Sequence, residues 1–243
     1  MGRGRQFVDL GAGDCCKALA WLPYVEPARY IAVDIARDEI AASLAKMAPE
    51  FPEVDMLGIV VDFTHGLDIE QDLDGSPVTF FYPGSSIGNF TPAQARSFLQ
   101  AIRLHCAGRP DSGLLIGVDT KKDKARLDAA YDDAVGVTAA FNRNVLNHVN
   151  RVLGSDFQPE AFAHRGFYNE AAGRVEMHLE ATSAQSVRWP GAVREFAAGE
   201  RIHTENSYKY APEEFAILLR EAGFSTHRCW QDERRDFSVF YAA

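Results

Sequence analysis

The stretch Phe7-Val8-Asp9-Leu10-Gly11-Ala12-Gly13-Asp14 places two glycines, one residue apart, at the end of a short apolar run. Glycine suits such a position because a tight turn from a strand into a helix needs backbone angles that other residues avoid, and because the missing side chain lets a ligand lie against the backbone. A dinucleotide-binding loop would carry a third glycine in the pattern G-x-G-x-x-G, but Cys16 stands there. The stretch therefore indicates a nucleotide-binding turn of an α/β protein and disfavours NAD and FAD. An ordinary tight turn is the alternative.

Two carboxylates follow the next two predicted strands. The strand Arg29–Asp34 ends in Asp34, and Met56–Phe63 is predicted to be a third, buried strand that ends in Asp62. A carboxylate after the second strand can accept hydrogen bonds from both ribose hydroxyls, and one after the third can accept from an adenine amino group. Because D-L-G-x-G with an acidic residue in the next strand is the arrangement expected for S-adenosylmethionine, we predict this cofactor.

The rest of the chain continues the alternation of strands and helices and then interrupts it. The stretch Thr91-Pro92-Ala93-Gln94 has the pattern of a capping box and predicts the start of a helix. From about residue 121 to 207 the pattern changes to two helical stretches and half-buried strands of alternating polarity, and the chain closes with a helix and two strands. We predict an α/β fold of the class I methyltransferase type, with a Rossmann-like seven-stranded sheet and an inserted α+β substrate-binding domain. Residues 1–120 and 208–243 form the predicted S-adenosylmethionine-binding Rossmann-like domain, and residues 121–207 form the predicted inserted substrate-binding domain.

The composition and charge of the chain indicate which kinds of partner it binds. The chain has 243 residues, 47% of them hydrophobic, and a formal net charge of −9, which argues against a nucleic-acid-binding surface and favours a small-molecule substrate. The four cysteines contain no C-x-x-C pair and the seven histidines no H-x-x-x-H pair. No stretch approaches the roughly 20 apolar residues of a membrane span. We expect a cytoplasmic monomer with no metal that binds neither nucleic acid nor membrane.

Seven motifs together resemble one known family. They are D-L-G-A-G-D-x-x-K at Asp9–Lys17, V-D at Val33–Asp34, D-F at Asp62–Phe63, P-G-S-S-I-G-N-F at Pro83–Phe90, A-Y-D-D-A-V-G-V-T-A-A-F-N-R-N-V-L at Ala130–Leu146, V-E-M at Val175–Met177 and T-E-N-S at Thr204–Ser207. Through them the chain is similar to the histidine-specific methyltransferases of ergothioneine biosynthesis, which use S-adenosylmethionine to trimethylate the α-amine of L-histidine and so form hercynine. Family members carry a further helical segment ahead of the first strand, with a tyrosine that closes over the imidazole. We therefore expect this chain to be shortened at its N-terminus.

The resemblance implies a cofactor site and a mechanism. The residues that would contact S-adenosylmethionine are Gly11, Lys17, Asp34, Asp62 and Phe63. The implied reaction is a direct displacement in which the neutral α-amine attacks the sulfonium methyl group in line, so that no covalent enzyme intermediate is needed. The protein would contribute mainly orientation and desolvation.

The resemblance also assigns the groups that hold the amino acid. Asn89 and Tyr131, the implied catalytic residues, would hold its carboxylate and amino end. Both side chains are neutral, so we expect them to do this without placing a cation near the sulfonium. Because tyrosine side chains have a reference pKa of about 10, a tyrosine suits the role of a positioning group better than that of a base. We therefore expect water, or the equilibrium of the amine itself, to account for proton loss.

The implied side-chain pocket involves Met177, Glu205, Asn206 and Ser207. Glu205 can accept a hydrogen bond from an imidazole N–H, and Ser207 can donate to or accept from the other ring nitrogen. Met177 would form an apolar wall that favours the small histidine ring over indole. Considered without the resemblance, Tyr131 reads as a core aromatic residue and Glu205 as a solvated charge at a strand end.

Two other functions compete with this interpretation. One keeps the cofactor and changes the acceptor to another amino acid or a small amine. The second is a truncated, cofactor-binding subunit that is inactive alone and needs a partner to complete its pocket. It predicts cofactor binding without histidine binding. A metal site built from the scattered histidines is a weaker third alternative.

Overall fold

The computed structural model of the chain describes residues 5–64 and 66–243. The first part contains β1 Gln6–Leu10, α1 Cys16–Val25, β2 Arg29–Asp34, α2 Arg37–Met47, β3 Asp55–Val60, β4 Val78–Tyr82, α3 Pro92–Cys106 and β5 Gly113–Asp119. The middle part contains α4 Lys124–Tyr131, α5 Val137–Leu153, β6 Phe162–Asn169, β7 Arg174–Ala181, β8 Gln185–Trp189, β9 Ala192–Phe196 and β10 Arg201–Tyr208. The last part contains α6 Pro212–Glu221, β11 His227–Gln231 and β12 Phe237–Ala242.

The chain divides into two compact units. The first unit consists of Met1–Thr120 together with Tyr210–Ala243, and the second unit is Lys121–Lys209. Each unit has its own sheet and its own buried apolar cluster.

The first unit is built on a seven-stranded sheet in the order β11-β12-β5-β4-β1-β2-β3. The strands β1 to β5 pair in parallel, whereas β12 runs antiparallel to β5 and β11 antiparallel to β12. The predicted fold class is confirmed. In sheets of this kind, ligands bind at the carboxyl ends of the strands where the strand order reverses, which here is between β1 and β4. Gly11 follows β1 at that edge, and Asn89 lies in the loop after β4.

Local sequence signals set the elements that carry this edge. Thr91 Oγ1 accepts a hydrogen bond from the Gln94 backbone N–H, and Gln94 Oε1 accepts one from the Thr91 backbone N–H, so the predicted capping box is confirmed. The loop after β4 lies close against β5, because a β-carbon at Gly117 would overlap the Pro83 carbonyl oxygen. Glycine at position 117 therefore lets this loop approach the sheet.

The third strand differs from the prediction. It ends at Val60 rather than continuing to Asp62 and Phe63, and its side chains are exposed or half-buried rather than buried. The reason is its place in the sheet, since β3 is an edge strand that pairs only with β2. Asp62 consequently lies in the loop beyond the strand, where its carboxylate accepts hydrogen bonds from the Thr64 backbone N–H at 3.0 Å and from Thr64 Oγ1 at 2.5 Å.

The second unit contains a three-stranded antiparallel sheet in the order β10-β7-β6 and the separate pair β8–β9. In the β10–β7 ladder, Glu205 lies opposite Met177 and Ser207 lies opposite Val175, after one irregularity between His203 and Glu205. The apolar cluster that joins α5 to these strands consists of Leu146, Phe162, Leu179, Ala181, Val187 and Phe196.

Among residues 5–64 and 66–243, none of the helices combines the length and the apolar character that crossing a membrane requires.

Candidate active site

The glycine turn after β1 has the backbone angles that its sequence predicts. Gly11 and Gly13 both adopt positive φ, +66° and +51°, in the region that favours glycine. The Gly11 N–H donates to the Val33 carbonyl at 2.8 Å, which ties the turn to the end of β2. Gly11 is exposed, and a β-carbon there would lie 3.6 Å from Phe63 and 3.7 Å from Tyr82. The bare backbone and these two rings offer a surface against which a flat or apolar group can pack.

Asp34 joins the turn to the start of α2. Its Oδ2 accepts from the Gly13 N–H at 2.9 Å, and its Oδ1 accepts from the Ala36 N–H at 3.1 Å. Each carboxylate oxygen has two lone pairs, so each keeps one acceptor position after these bonds. Asp34 is half-buried. The carboxylate is therefore held in place by the backbone and can still accept from a pair of hydroxyls such as those of a ribose.

Asp9 lies beneath the turn, and its role was not found from the sequence. It is 3% exposed, and Tyr30 donates its phenolic proton to Asp9 Oδ2 at 2.9 Å. Burial raises the pKa of Asp9 to about 7, although the hydrogen bond from Tyr30 and the charge of Lys17 act in the opposite direction. The signal available in the sequence was a carboxylate flanked by apolar residues inside a strand, which is an expensive place for a charge.

The remaining cofactor candidates of the first unit lie in helix α1 and in the loop after β3. Lys17 extends from α1 to Gly84, where its Nζ lies 3.3 Å from the position that a β-carbon would occupy. The Phe63 ring packs against Phe98, with a centroid separation of 5.6 Å, and lies perpendicular to the Tyr82 ring, with the centroids 6.1 Å apart. A cavity of about 290 Å³ beside Phe63 is also lined by Phe90, Gln94 and Phe98. Asn89, the last residue of a short 3₁₀ turn, is exposed.

In the second unit, Tyr131, Ser207 and Lys209 form a closed triangle of hydrogen bonds. Lys209 Nζ donates to Tyr131 Oη at 2.7 Å and to Ser207 Oγ at 2.8 Å, and Tyr131 Oη lies 3.0 Å from Ser207 Oγ. Lys209 and Ser207 are buried, and Nζ lies 4.7 Å from the centre of the Tyr131 ring. A lysine that was not singled out in the sequence therefore contacts the Tyr131 hydroxyl and places a cation beside this neutral side chain.

Glu205, Ser207 and Met177 share one face of the β10–β7 ladder. Side chains alternate between the two faces of a strand, so Glu205 and Ser207 point to the same side, and Met177 lies opposite Glu205 on that side. Burial raises the pKa of Glu205, and the charge of Lys209 opposes this rise. Asn206 occupies the other face, away from Glu205 and Ser207. Its assignment to the substrate stays a prediction, and the same holds for the other site residues.

Two buried side chains hold the end of α4 against the sheet. His164 lies with Nε2 at 2.7 Å from the Tyr131 carbonyl oxygen and with Nδ1 at 2.9 Å from Asn142 Nδ2. A carbonyl oxygen only accepts and an amide nitrogen only donates, so His164 carries its proton on Nε2. Asn142 lies within the long family motif, and this chain of hydrogen bonds gives it a positioning role that the sequence did not reveal.

A cluster of three potential metal ligands lies on the opposite face of this sheet. The ligand atoms of Glu176, His178 and His203 lie within 4.8 Å of one another. Arg174 Nε donates to Glu176 at 2.9 Å, His178 Nε2 lies 3.1 Å from the same carboxylate, and the His178 and His203 rings stack at 4.4 Å. Burial opposes ionisation of Glu176, but hydrogen bonds from His178 and Arg174 lower its pKa to about 2. The Glu176 carboxylate is thus already paired with an arginine, and His203 Nε2 already lies 3.0 Å from the Glu205 carbonyl oxygen.

The sequence is similar to known proteins over most of its length. The model of a family described as "Histidine-specific methyltransferase, SAM-dependent" matches residues 1–243. The histidine N-alpha-methyltransferase of Mycolicibacterium smegmatis is 39% identical over 241 residues, which cover 97% of this chain and 74% of that protein. Ergothioneine biosynthesis protein 1 of Neurospora crassa is 30% identical over 93% of this chain and 26% of its own length.

Solved structures extend the comparison to the fold. The S-adenosylmethionine-dependent methyltransferase SibL, crystallised in its apo form, superposes with a TM-score of 0.51 at 14% identity, covering 99% of this chain and 50% of that one. At this level of identity the likeness concerns the fold alone. It agrees with the seven-stranded sheet described above.

Proposed function

Because the chain belongs to the family of histidine-specific, S-adenosylmethionine-dependent methyltransferases, we propose that it trimethylates the α-amino group of L-histidine to give hercynine, a step of ergothioneine biosynthesis. The observation that carries this proposal is the face of the second unit on which Glu205, Ser207 and Met177 lie. A carboxylate and a hydroxyl complement the two nitrogens of an imidazole, and methionine supplies an apolar contact for the ring.

The first unit fits S-adenosylmethionine. When bound, this cofactor supplies an electrophilic methyl group on a sulfonium sulfur. Asp34 keeps two acceptor positions for ribose hydroxyls, and the bare backbone at Gly11 lets a ligand approach the turn. We assign adenine binding to Asp62 and Phe63, since Phe63 presents an aromatic ring beside a cavity. Lys17 would contact the cofactor from α1.

The second unit would bind and orient the amino acid. Tyr131 Oη accepts from Lys209 and bonds to Ser207, which leaves one acceptor position for an N–H of the substrate amine. A phenol held in this way is a positioning group rather than a base, so the proton of the amine would leave to water. We assign recognition of the substrate carboxylate to the Asn89 amide N–H, which is exposed at the end of the 3₁₀ turn after β4. Orientation of this kind accounts for roughly 7–11 kcal/mol of rate enhancement in favourable systems.

The proposal also covers the roles of the two parts of the chain, the class of substrate, the oligomeric state and the location in the cell. We assign residues 121–207 the role of substrate-binding domain and residues 1–120 with 208–243 the role of cofactor domain. The net charge of −9 supports a small-molecule substrate over a nucleic acid. We further propose that the protein works as a monomer in the cytoplasm.

A competition assay tests the proposed substrate. The purified chain is incubated with S-adenosylmethionine and equal concentrations of the common amino acids, and mass spectrometry identifies those that gain methyl groups. We expect histidine to be methylated in preference to all others, and Glu205→Gln to reduce its methylation at least tenfold without weakening cofactor binding. Glu160→Gln, a matched change at an exposed carboxylate of the same unit, should have no effect. Preferential methylation of another amino acid, or of none, would overturn the proposal.

A further inference from the structure

The buried lysine of the second unit constrains which way its neighbours can hydrogen-bond. Lys209 is 2% exposed, and its Nζ lies 2.7 Å from Tyr131 Oη and 2.8 Å from Ser207 Oγ. A lysine ammonium carries three donors and no acceptor. Both hydroxyl oxygens must therefore accept from Lys209, and one acceptor position of each is occupied.

The hydrogen bond between the Tyr131 and Ser207 hydroxyls also has a preferred donor. Tyr131 Oη lies 3.0 Å from Ser207 Oγ. A phenol is a stronger acid than an aliphatic hydroxyl, and it is therefore the better donor, so Tyr131 donates and Ser207 accepts. Ser207 then accepts two hydrogen bonds, one from Lys209 and one from Tyr131, which uses both of its lone pairs. The only group that Ser207 can still present to a ligand is its own proton.

This direction matters for the ring that the site would recognise. A neutral imidazole has one N–H donor and one unprotonated nitrogen, whereas an imidazolium has two donors. Glu205, which lies on the same face as Ser207, can accept from the N–H. The proton of Ser207 requires the unprotonated nitrogen, and a second N–H in that place would leave two donors facing each other.

We infer that Lys209 is a positioning residue that makes the Ser207 hydroxyl a hydrogen-bond donor and thereby selects a substrate ring with an unprotonated nitrogen facing Ser207. The inference rests on the proposed function, because it concerns recognition of the histidine ring. A purely structural role for Lys209, as a cation packed over the Tyr131 ring at 4.7 Å, is the competing explanation.

Matched pairs of ring analogues separate these two roles. Each thiazolylalanine keeps one acceptor nitrogen of the histidine ring and has sulfur in place of the other nitrogen, and the thienylalanine with the same sulfur position replaces the remaining nitrogen by C–H. The two isomeric pairs cover both positions of the ring. Affinities are measured by calorimetry on the full chain in the presence of S-adenosylhomocysteine. For one pair, the wild type should prefer the thiazole by about fivefold to tenfold, as one hydrogen bond implies.

Three variants then test the role of Lys209 itself. Lys209→Met should reduce the preference for the thiazole to about twofold or less, and Ser207→Ala should do the same. The double variant should show no further reduction, because Lys209 acts through Ser207. Lys46→Met, a matched change at an exposed lysine, should keep the full preference. Unchanged affinity for S-adenosylhomocysteine shows in each case that the first unit has folded.

Three results would overturn the inference. In the first, Lys209→Met weakens both members of a pair equally and leaves the preference intact, as a structural role requires. In the second, the wild type shows no preference in either pair. In the third, the wild type fails to bind histidine itself. That third result would overturn the proposed function as well, whereas the first two leave histidine methylation standing.

Discussion

The carbonyl of Tyr131 lies directly over Gly166, so that a β-carbon at position 166 would overlap the carbonyl oxygen and come within 2.8 Å of the carbonyl carbon. His164, two residues before Gly166 in β6, donates to the same oxygen. Since α4 ends at Tyr131, these contacts set the height at which the helix end lies above β6. The position of the Tyr131 hydroxyl thus depends on a glycine in the sheet beneath it.

Gly166→Ala should therefore impair substrate binding without touching the proposed pocket. The added methyl group must push the end of α4 away from the sheet, at a cost of about 1–3 kcal/mol in the stability of the second unit. We expect the affinity for histidine to fall at least tenfold while the affinity for S-adenosylmethionine stays unchanged, both measured by calorimetry. Gly75→Ala is the control, since a β-carbon there meets nothing within 4 Å. Equal histidine affinity in Gly166→Ala and wild type would contradict this account of the Tyr131 position.

Asp34 should matter for the cofactor and not for the amino acid. Asp34→Asn replaces an acceptor oxygen by an NH₂ group, which faces either the Gly13 or the Ala36 N–H and cannot accept from a ribose hydroxyl. Loss of a hydrogen bond to a charged group, worth about 1.5–3 kcal/mol, predicts cofactor affinity lower by roughly tenfold to a hundredfold. Asp38→Asn, at an exposed position in the first turn of α2, provides the matched control. If both variants bind S-adenosylmethionine as the wild type does, Asp34 does not hold the ribose.

Asp9 should make the protein less stable as the pH rises from mildly acidic to neutral. Its pKa is raised from 3.8 to about 7 in the folded chain, so between these values the unfolded chain releases a proton that the folded chain retains. Unfolding is then favoured by about 1.4 kcal/mol for each pH unit in that window, and the effect levels off above about pH 7.

The variant Asp9→Asn tests whether Asp9 causes this loss of stability with rising pH. The amide stays neutral at every pH and can still accept from Tyr30, so the variant should gain stability relative to the wild type by about 2 kcal/mol between pH 5.5 and pH 7. Urea unfolding at both pH values, followed by far-ultraviolet circular dichroism, gives the comparison. A stability difference that is the same at the two pH values would show that Asp9 is ionised normally in the folded protein.

Much of the first unit could be predicted because its signals are local. Each of these signals is confined to a few neighbouring residues in the sequence. They are the two glycines after β1, the carboxylate that ends β2 and the Thr91–Gln94 capping box. The predicted extent and burial of β3 were wrong because an apolar run does not reveal whether its strand is central or at the edge of the sheet. That distinction depends on which strands pair beside it, and β3 has only β2.

The second unit was harder to predict because its important contacts span long stretches of chain. Lys209 lies just beyond the T-E-N-S motif and was not singled out in the sequence, yet it is buried against Tyr131, which precedes it by 78 residues. Gly166 carries no turn signal, and its importance comes only from the helix end packed on it. The placement of Asn206 on the opposite face from Glu205 and Ser207, by contrast, follows from strand alternation alone.

The central claim is that the chain trimethylates the α-nitrogen of histidine, and the most direct measurement locates the transferred methyl groups. The purified chain is given L-histidine and S-adenosylmethionine carrying a deuterated methyl group, and the product is analysed by tandem mass spectrometry and proton NMR. The account predicts a product with three labelled methyl groups, all on the α-nitrogen, and an unmodified imidazole. Methyl groups on the ring nitrogens, or no labelled histidine while the cofactor still binds, would contradict it.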